Sequence, residues 1–198
     1  MTDPNKYSFS FTTASLMING MVQIAESKRN NSDFNYIEIL GNGKSATGKK
    51  YYAELNKRLK NLTSEEIDLL IDGDLPTQKQ ICFLAVCKTY GFVKDFTIEV
   101  LRNKFLVYDY EITDGDYLSF LRGKLQEHEE LEKLTEQTQQ KIKGVIFKIY
   151  EQSGIIDSVK TKIIQPQFVD SKIIETVRKD NPNWLKIFLI SDTDIKRA

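Results

Sequence analysis

The first residues to question for chemistry are Gly43-Lys44-Ser45-Ala46-Thr47-Gly48-Lys49. They carry the glycine and lysine spacing of a loop that cradles nucleotide phosphates. Such a loop needs a Ser or Thr next, because its hydroxyl holds magnesium, and this chain has Lys50 there. Residues 36–40 could pass for the preceding strand, yet the chain lacks the alternating strands and helices of a nucleotide-binding sheet. Asp72-Gly73-Asp74 and Asp114-Gly115-Asp116 have the look of calcium loops but lack a third ligand and a distal Glu at the required spacing. Turns and helix caps explain both. The single histidine, His128, stands among Glu127, Glu129 and Glu130, which an exposed helix end explains. Cys82 and Cys87 lie five residues apart, about 140° around a helix, so they can neither pair nor share a metal. They read as small buried hydrophobes. No Ser–His–Asp, Cys–His or zinc spacing occurs. The expectation is no enzyme, no cofactor and no metal.

A stronger constellation lies in residues 45–60. At about 100° per residue, Tyr51, Tyr52, Leu55, Leu59 and Leu62 form one stripe, while Lys49, Lys50, Lys57 and Lys60 fall on the opposite side. Ser45 and Thr47 lie at the helix start. A short helix and a tight turn at Asn42-Gly43 precede it, which is the helix-turn-helix arrangement. In that arrangement Ser45, Thr47, Lys49 and Lys50 would approach a DNA groove, and Lys57 and Lys60 would neutralise phosphates. The other reading is a solvated lysine face on an amphipathic helix. A second basic group includes Lys141, Lys143 and Lys172, with Lys148, Lys160 and Lys162. Acids are interspersed there, so ordinary surface lysines are the favoured reading.

The elements that must position these residues are mostly helical. Residues 15–28 place apolar side chains on one face. Asp33 can cap a short helix through Leu40. Thr63 with Glu66, and Thr113 with Asp116, make capping boxes. Residues 77–90 and 93–106 are apolar around much of their circumference and read as central helices. Residues 135–153 form another helix. Beyond Gly154, β-type runs at 162–165 and 185–191 flank a helix over 168–179. The expected fold is mainly α: a helical bundle with an N-terminal helix-turn-helix-like element, over about 15–62, and a small C-terminal winged-helix-like α/β module. The expected division is 1–133 and 134–198.

The chain has 198 residues, with 28 Lys+Arg against 28 Asp+Glu. By segment, residues 1–62 hold nine basic and five acidic residues, 63–134 eight and fifteen, and 135–198 eleven and eight. An acidic middle therefore separates two basic ends. Residues 1–7 are polar with no apolar stretch after them, so no secretory leader is expected. The longest apolar run, 81–87, falls far short of the roughly 20 residues of a membrane span. A cytoplasmic protein without membrane contact is expected.

Several stretches resemble the BrxA family of bacteriophage-exclusion (BREX) defence systems. They are Tyr7-Ser8-Phe9-Ser10-Phe11-Thr12, Arg58-Leu59 with Leu62-Thr63, residues 84–90, residues 96–102, Leu134-Thr135, and 147–154. The resemblance is collinear over nearly the whole chain. It implies a small, mostly helical, non-enzymatic protein that binds double-stranded DNA and works beside other BREX proteins: a methyltransferase, an ATPase and a phosphatase-like protein. Members are also likened to the RNA-binding antitermination factor NusB, which keeps RNA open as a partner. A structural adaptor that docks other defence proteins through the acidic middle is the remaining alternative.

Overall fold

A computed structural model describes residues 6–197; residues 1–5, within the polar start noted above, and Ala198 lie outside the described residues. The helices in chain order are α1 (Ile18–Arg29), α2 (Tyr36–Ile39), α3 (Ser45–Leu59), α4 (Ser64–Asp72), α5 (Leu75–Thr89) and α6 (Gly91–Phe96). They continue as α7 (Asn103–Leu106), α8 (Asp114–Lys124), α9 (Glu136–Ser153), α10 (Ser171–Asp180) and α11 (Asp192–Arg197). Short 3-10 helices occupy Ser10–Thr13, Glu129–Leu131 and Pro182–Phe188. A π-helical stretch, Thr97–Arg102, joins α6 to α7 without a break.

The caps follow the expected chemistry. Thr63 and Glu66 exchange side-chain and backbone hydrogen bonds at the start of α4, and Thr113 and Asp116 do the same for α8. Asp74 caps α5, with Pro76 in its first turn. Gly154 ends α9 at φ 80°, a left-handed conformation glycine adopts without a Cβ penalty. Helix α2 is capped by Asn35, whose side chain accepts from the Glu38 N–H, and not by Asp33.

Helix α5 is the axis of the core. Residues 81–87 are all buried, both cysteines included. Helices α1, α3, α4, α6 and α9 pack around it. The π turn has a local cause. The Val93 carbonyl accepts from the Thr97 hydroxyl at 2.7 Å and from the Tyr150 hydroxyl at 3.2 Å. Side chains competing for one carbonyl disturb the regular ladder at that point.

Two buried charge clusters join distant segments. Lys88 on α5 pairs with Glu66 at 2.7 Å and Asp180 at 2.8 Å, binding α4 to the end of α10. Arg58 on α3 is fully buried and donates to the Ser15 and Ala14 carbonyls, each at 2.5 Å. Glu54 lies 3.9 Å from the same guanidinium and accepts from the Tyr90 hydroxyl. Burial pushes the Arg58 pKa down to about 10 against the pull of Glu54, leaving it charged at neutral pH. Arg58 thus fastens the extended segment before α1 to the inner side of α3.

The C-terminal winged-helix-like module is not found. Among the described residues the only β features are two isolated antiparallel bridges, Glu111 to Ile163 and Ile156 to Ile164. In the run at 162–165, Lys162 is left-handed at φ 54° and only Ile163 and Ile164 form isolated bridges, with no ladder. The run at 185–191 is mostly 3-10 helix, opened by Asn181 and Pro182 and closed by Leu189 at φ 63°. A short apolar run has no periodicity that tells strand from helix, and here Leu185, Ile187, Phe188 and Leu189 are all buried. The described residues therefore form an all-helical fold, and the helix expected over 168–179 is α10.

In the region expected to be helix-turn-helix-like, the single-turn α2 and the turn at Asn42-Gly43 precede α3. Its glycines are steric requirements. A Cβ on Gly48 would stand 2.4 Å from the Tyr36 carbonyl oxygen, and one on Gly41 would stand 2.7 Å from that of Ile37. These glycines let α2 lie against the backbone of α3.

Four stability outcomes are expected. Gly48→Ala gains about 1 kcal/mol of helix propensity but collides with backbone, so its urea midpoint should fall; a rise would overturn the packing account. Arg58→Met leaves carbonyls and the Glu54 carboxylate without their cation and should cost about 3–5 kcal/mol. Arg58→Lys should recover only part of that, because one ammonium cannot replace the planar fork. Asp114 receives Lys162 at 2.8 Å and Lys143 at 3.0 Å, which hold its carboxyl below the usual range. A lowered folded-state pKa stabilises above the unfolded value and is lost as pH falls. Asp114→Asn should therefore flatten the acid limb of the stability curve below about pH 4, read by thermal melts across pH.

Candidate nucleic-acid interface

The outer side of α3 is the site to examine. Burial of Leu55, Leu59, Glu54, Arg58 and Gly48 fixes which way the helix faces. Ser45, Ala46, Lys49, Lys50, Ala53, Lys57 and Lys60 are exposed, and Thr47 is half-buried. The leucine stripe holds as expected, with Tyr51 and Tyr52 half-buried at its edge. Tyr52 stacks between Phe34 and Tyr36, with ring centroids 5.7 and 5.1 Å away, which steadies α2 against α3.

The helix begins without a side-chain cap. Lys44 occupies the N-cap position and makes no capping hydrogen bond. The first free intrahelical bond runs from the Gly48 N–H to the Lys44 carbonyl. The N–H groups of Ser45, Ala46 and Thr47 therefore have no partner within the helix. This positive end of the helix dipole lies beside Lys44, Lys49 and Lys50, so potential and donors favour an anion there.

The lysines differ in their company. Lys44, Lys49, Lys50 and Lys60 make no ion pair among the described residues, whereas Lys143, Lys162, Lys148 and Lys179 each meet a carboxylate. Lys57 turns inward along the surface. Its ammonium donates to Ser8 and Ser10 at 3.3 and 3.2 Å and lies 5.0 Å over the Tyr90 ring. Lys28, on α1, adds a cation close to Lys60. Its pKa is lowered first by burial and then by that neighbour.

The second basic group is not assembled with α3. Lys141 is exposed on the first turns of α9. Lys143 is neutralised by Asp114. Lys172 is exposed on α10, which packs on α4. Sequence reasoning missed Lys44, which it treated as loop, and Lys28, which only tertiary packing brings near Lys60.

The other chemical candidates resolve as structure. In the sequence with nucleotide-loop spacing, Gly48 is spent on the contact with α2. Asp72 takes Arg29 in a two-pronged pair at 2.7 and 2.9 Å, and Asp116 caps α8. No group of three His, Cys, Asp or Glu among the described residues is arranged for a metal. His128 is not at an exposed helix end. It stacks on Tyr7 at 3.6 Å and lies 3.0 Å from Glu130, which also accepts from the Tyr7 N–H. The pair clasps the N-terminal segment. No helix of the described residues is long and apolar enough to cross a membrane.

Comparison with known proteins places this architecture. The crystal structure of an uncharacterized protein from Magnetospirillum magneticum superposes with a TM-score of 0.78 at 17% identity. The match covers 93% of this chain and 98% of that one, which shows a shared fold. A curated relative, the BREX protein BrxA of Bacillus cereus (strain H3081.97), is 27% identical over 122 residues. The chain spans 61% of that relative's length, using 61% of its own. The BrxA family model matches residues 5–181, and the chain belongs to the BrxA family.

Proposed function

We propose that this protein is a non-enzymatic, duplex-DNA-binding component of a BREX anti-phage system. The BREX assignment rests on its family and on its similarity to the BREX protein BrxA of Bacillus cereus. The observation that carries the DNA reading is the unneutralised basic side of α3. Lys44, Lys49, Lys50 and Lys60 are exposed there without carboxylate partners, next to three free N–H groups. That arrangement suits phosphodiester oxygens. Ser45 and Thr47 supply hydroxyls at the same end. No arginine fork reaches out from the first turn of α3, so backbone contacts dominate and sequence preference is low. Other BREX proteins are the expected partners.

Lys57 contributes less than its neighbours, because reaching a phosphate costs its bonds to Ser8 and Ser10. Lys143 and Lys172 stand outside the interface in this reading, since each lies among carboxylates.

With Lys49, Lys50 and Lys60 on phosphates, the slope of log K against log salt should be about −2.7. Replacing these three by Glu should abolish duplex binding in a gel shift while the thermal melt stays cooperative. Unchanged affinity in that variant would overturn the interface. Single-stranded RNA that competes better than duplex DNA would favour the RNA alternative instead.

A further inference from the structure

On other elements lies a groove of about 1180 Å³, walled by α4, the turn into α5, the segment before α10 and α10 itself. Its charge is one-sided. Glu65, Asp68, Asp72, Asp74, Asp170 and Glu175 line it, against Lys172 and Lys179. Arg29 and Lys179 occupy Asp72 and Glu65. Asp68 and Glu175 pair with no cation among the described residues, and Asp74 and Asp170 are committed only as helix caps.

An aromatic ring stands at the same place. Phe168 is 89% exposed, more than any other large hydrophobic residue described. It is not a loose tip. Its carbonyl accepts from the buried Gln80 side chain at 2.9 Å, and the next residue, Val169, packs on the core. The fold thus holds the backbone of an exposed aromatic residue beside a carboxylate-lined channel. The ring leaves apolar area in water that a partner side chain would cover favourably.

Charge decides the occupant. Nucleic acid and anionic lipid are repelled by the excess carboxylates. A bound cation is disfavoured because no three of these groups converge as ligands. The surface fits a polypeptide that carries both lysine or arginine and an apolar side chain to cover the ring. We infer that this groove docks a basic amphipathic segment of a partner protein. The inference is independent of the DNA reading, since α3 contributes nothing to the groove.

The test uses the full chain and a fluorescein-labelled 18-residue peptide of Leu and Lys in helical amphipathic order. A peptide of equal charge with Ser for Leu is the control. Fluorescence anisotropy should show binding of the first at least tenfold tighter than the second. Phe168→Ala should weaken the Leu/Lys peptide at least tenfold, and Asp68→Asn with Glu175→Gln should weaken it and flatten its salt dependence. Duplex affinity should not fall in either variant, and thermal melts should match the parent. Equal binding of the two peptides, or indifference to both variants, would overturn the proposal. So would self-association lost in Phe168→Ala, measured by sedimentation, because the occupant would then be a second copy.

Discussion

A buried guanidinium governs the arrangement of the N-terminal half. Arg58 has no exposed surface, and its fork is spent on backbone carbonyls of residues 14–16. Those carbonyls belong to a segment with no sheet or helix partner of its own, and buried carbonyls must find donors. Arg58 supplies them. Glu54 balances the charge and is held in turn by Tyr90 on the rim of α5. The sequence before α1 therefore cannot leave without exposing an arginine to the core.

This constraint also orients the basic side. Because Glu54 and Arg58 point inward with Leu55 and Leu59, the remaining charges of α3 are forced outward. The one acid of the helix is thereby hidden from the lysine side, and a nearly neutral protein gains a local positive field. Elsewhere, several cations meet carboxylates, as Lys143 and Lys162 do at Asp114. The zero net charge thus includes a basic helix and an acidic groove on separate elements.

Much of this was legible in the residues. Capping boxes at Thr63 and Thr113, the leucine stripe of α3 and the glycine stop after α9 are local signals, and local backbone chemistry decides them. Burial of Arg58 and Glu54 was not legible, because a charged residue declares its partner only in three dimensions. The same limit hid the electrostatic influence of Lys60 on Lys28 and the turn of Lys57 towards Ser8. The β reading of 185–191 failed for a different reason. Ile187, Phe188 and Leu189 are buried from several sides, and burial on all sides erases the alternation that distinguishes a strand. The spacing of Gly43 to Lys49, rejected as a nucleotide loop, has a packing explanation, since the same glycine that brings a phosphate close can bring a helix close.

The two cysteines of α5 carry a last consequence. Both are free and sealed in the central helix, and burial raises both thiols, that of Cys82 to about 12. Thiolate, the form that reacts with alkylating reagents, is withheld while the fold is closed. Modification at these positions must wait until α5 itself opens. The protein carries its own clock for native-state opening, read from the rate at which a maleimide finds sulfur.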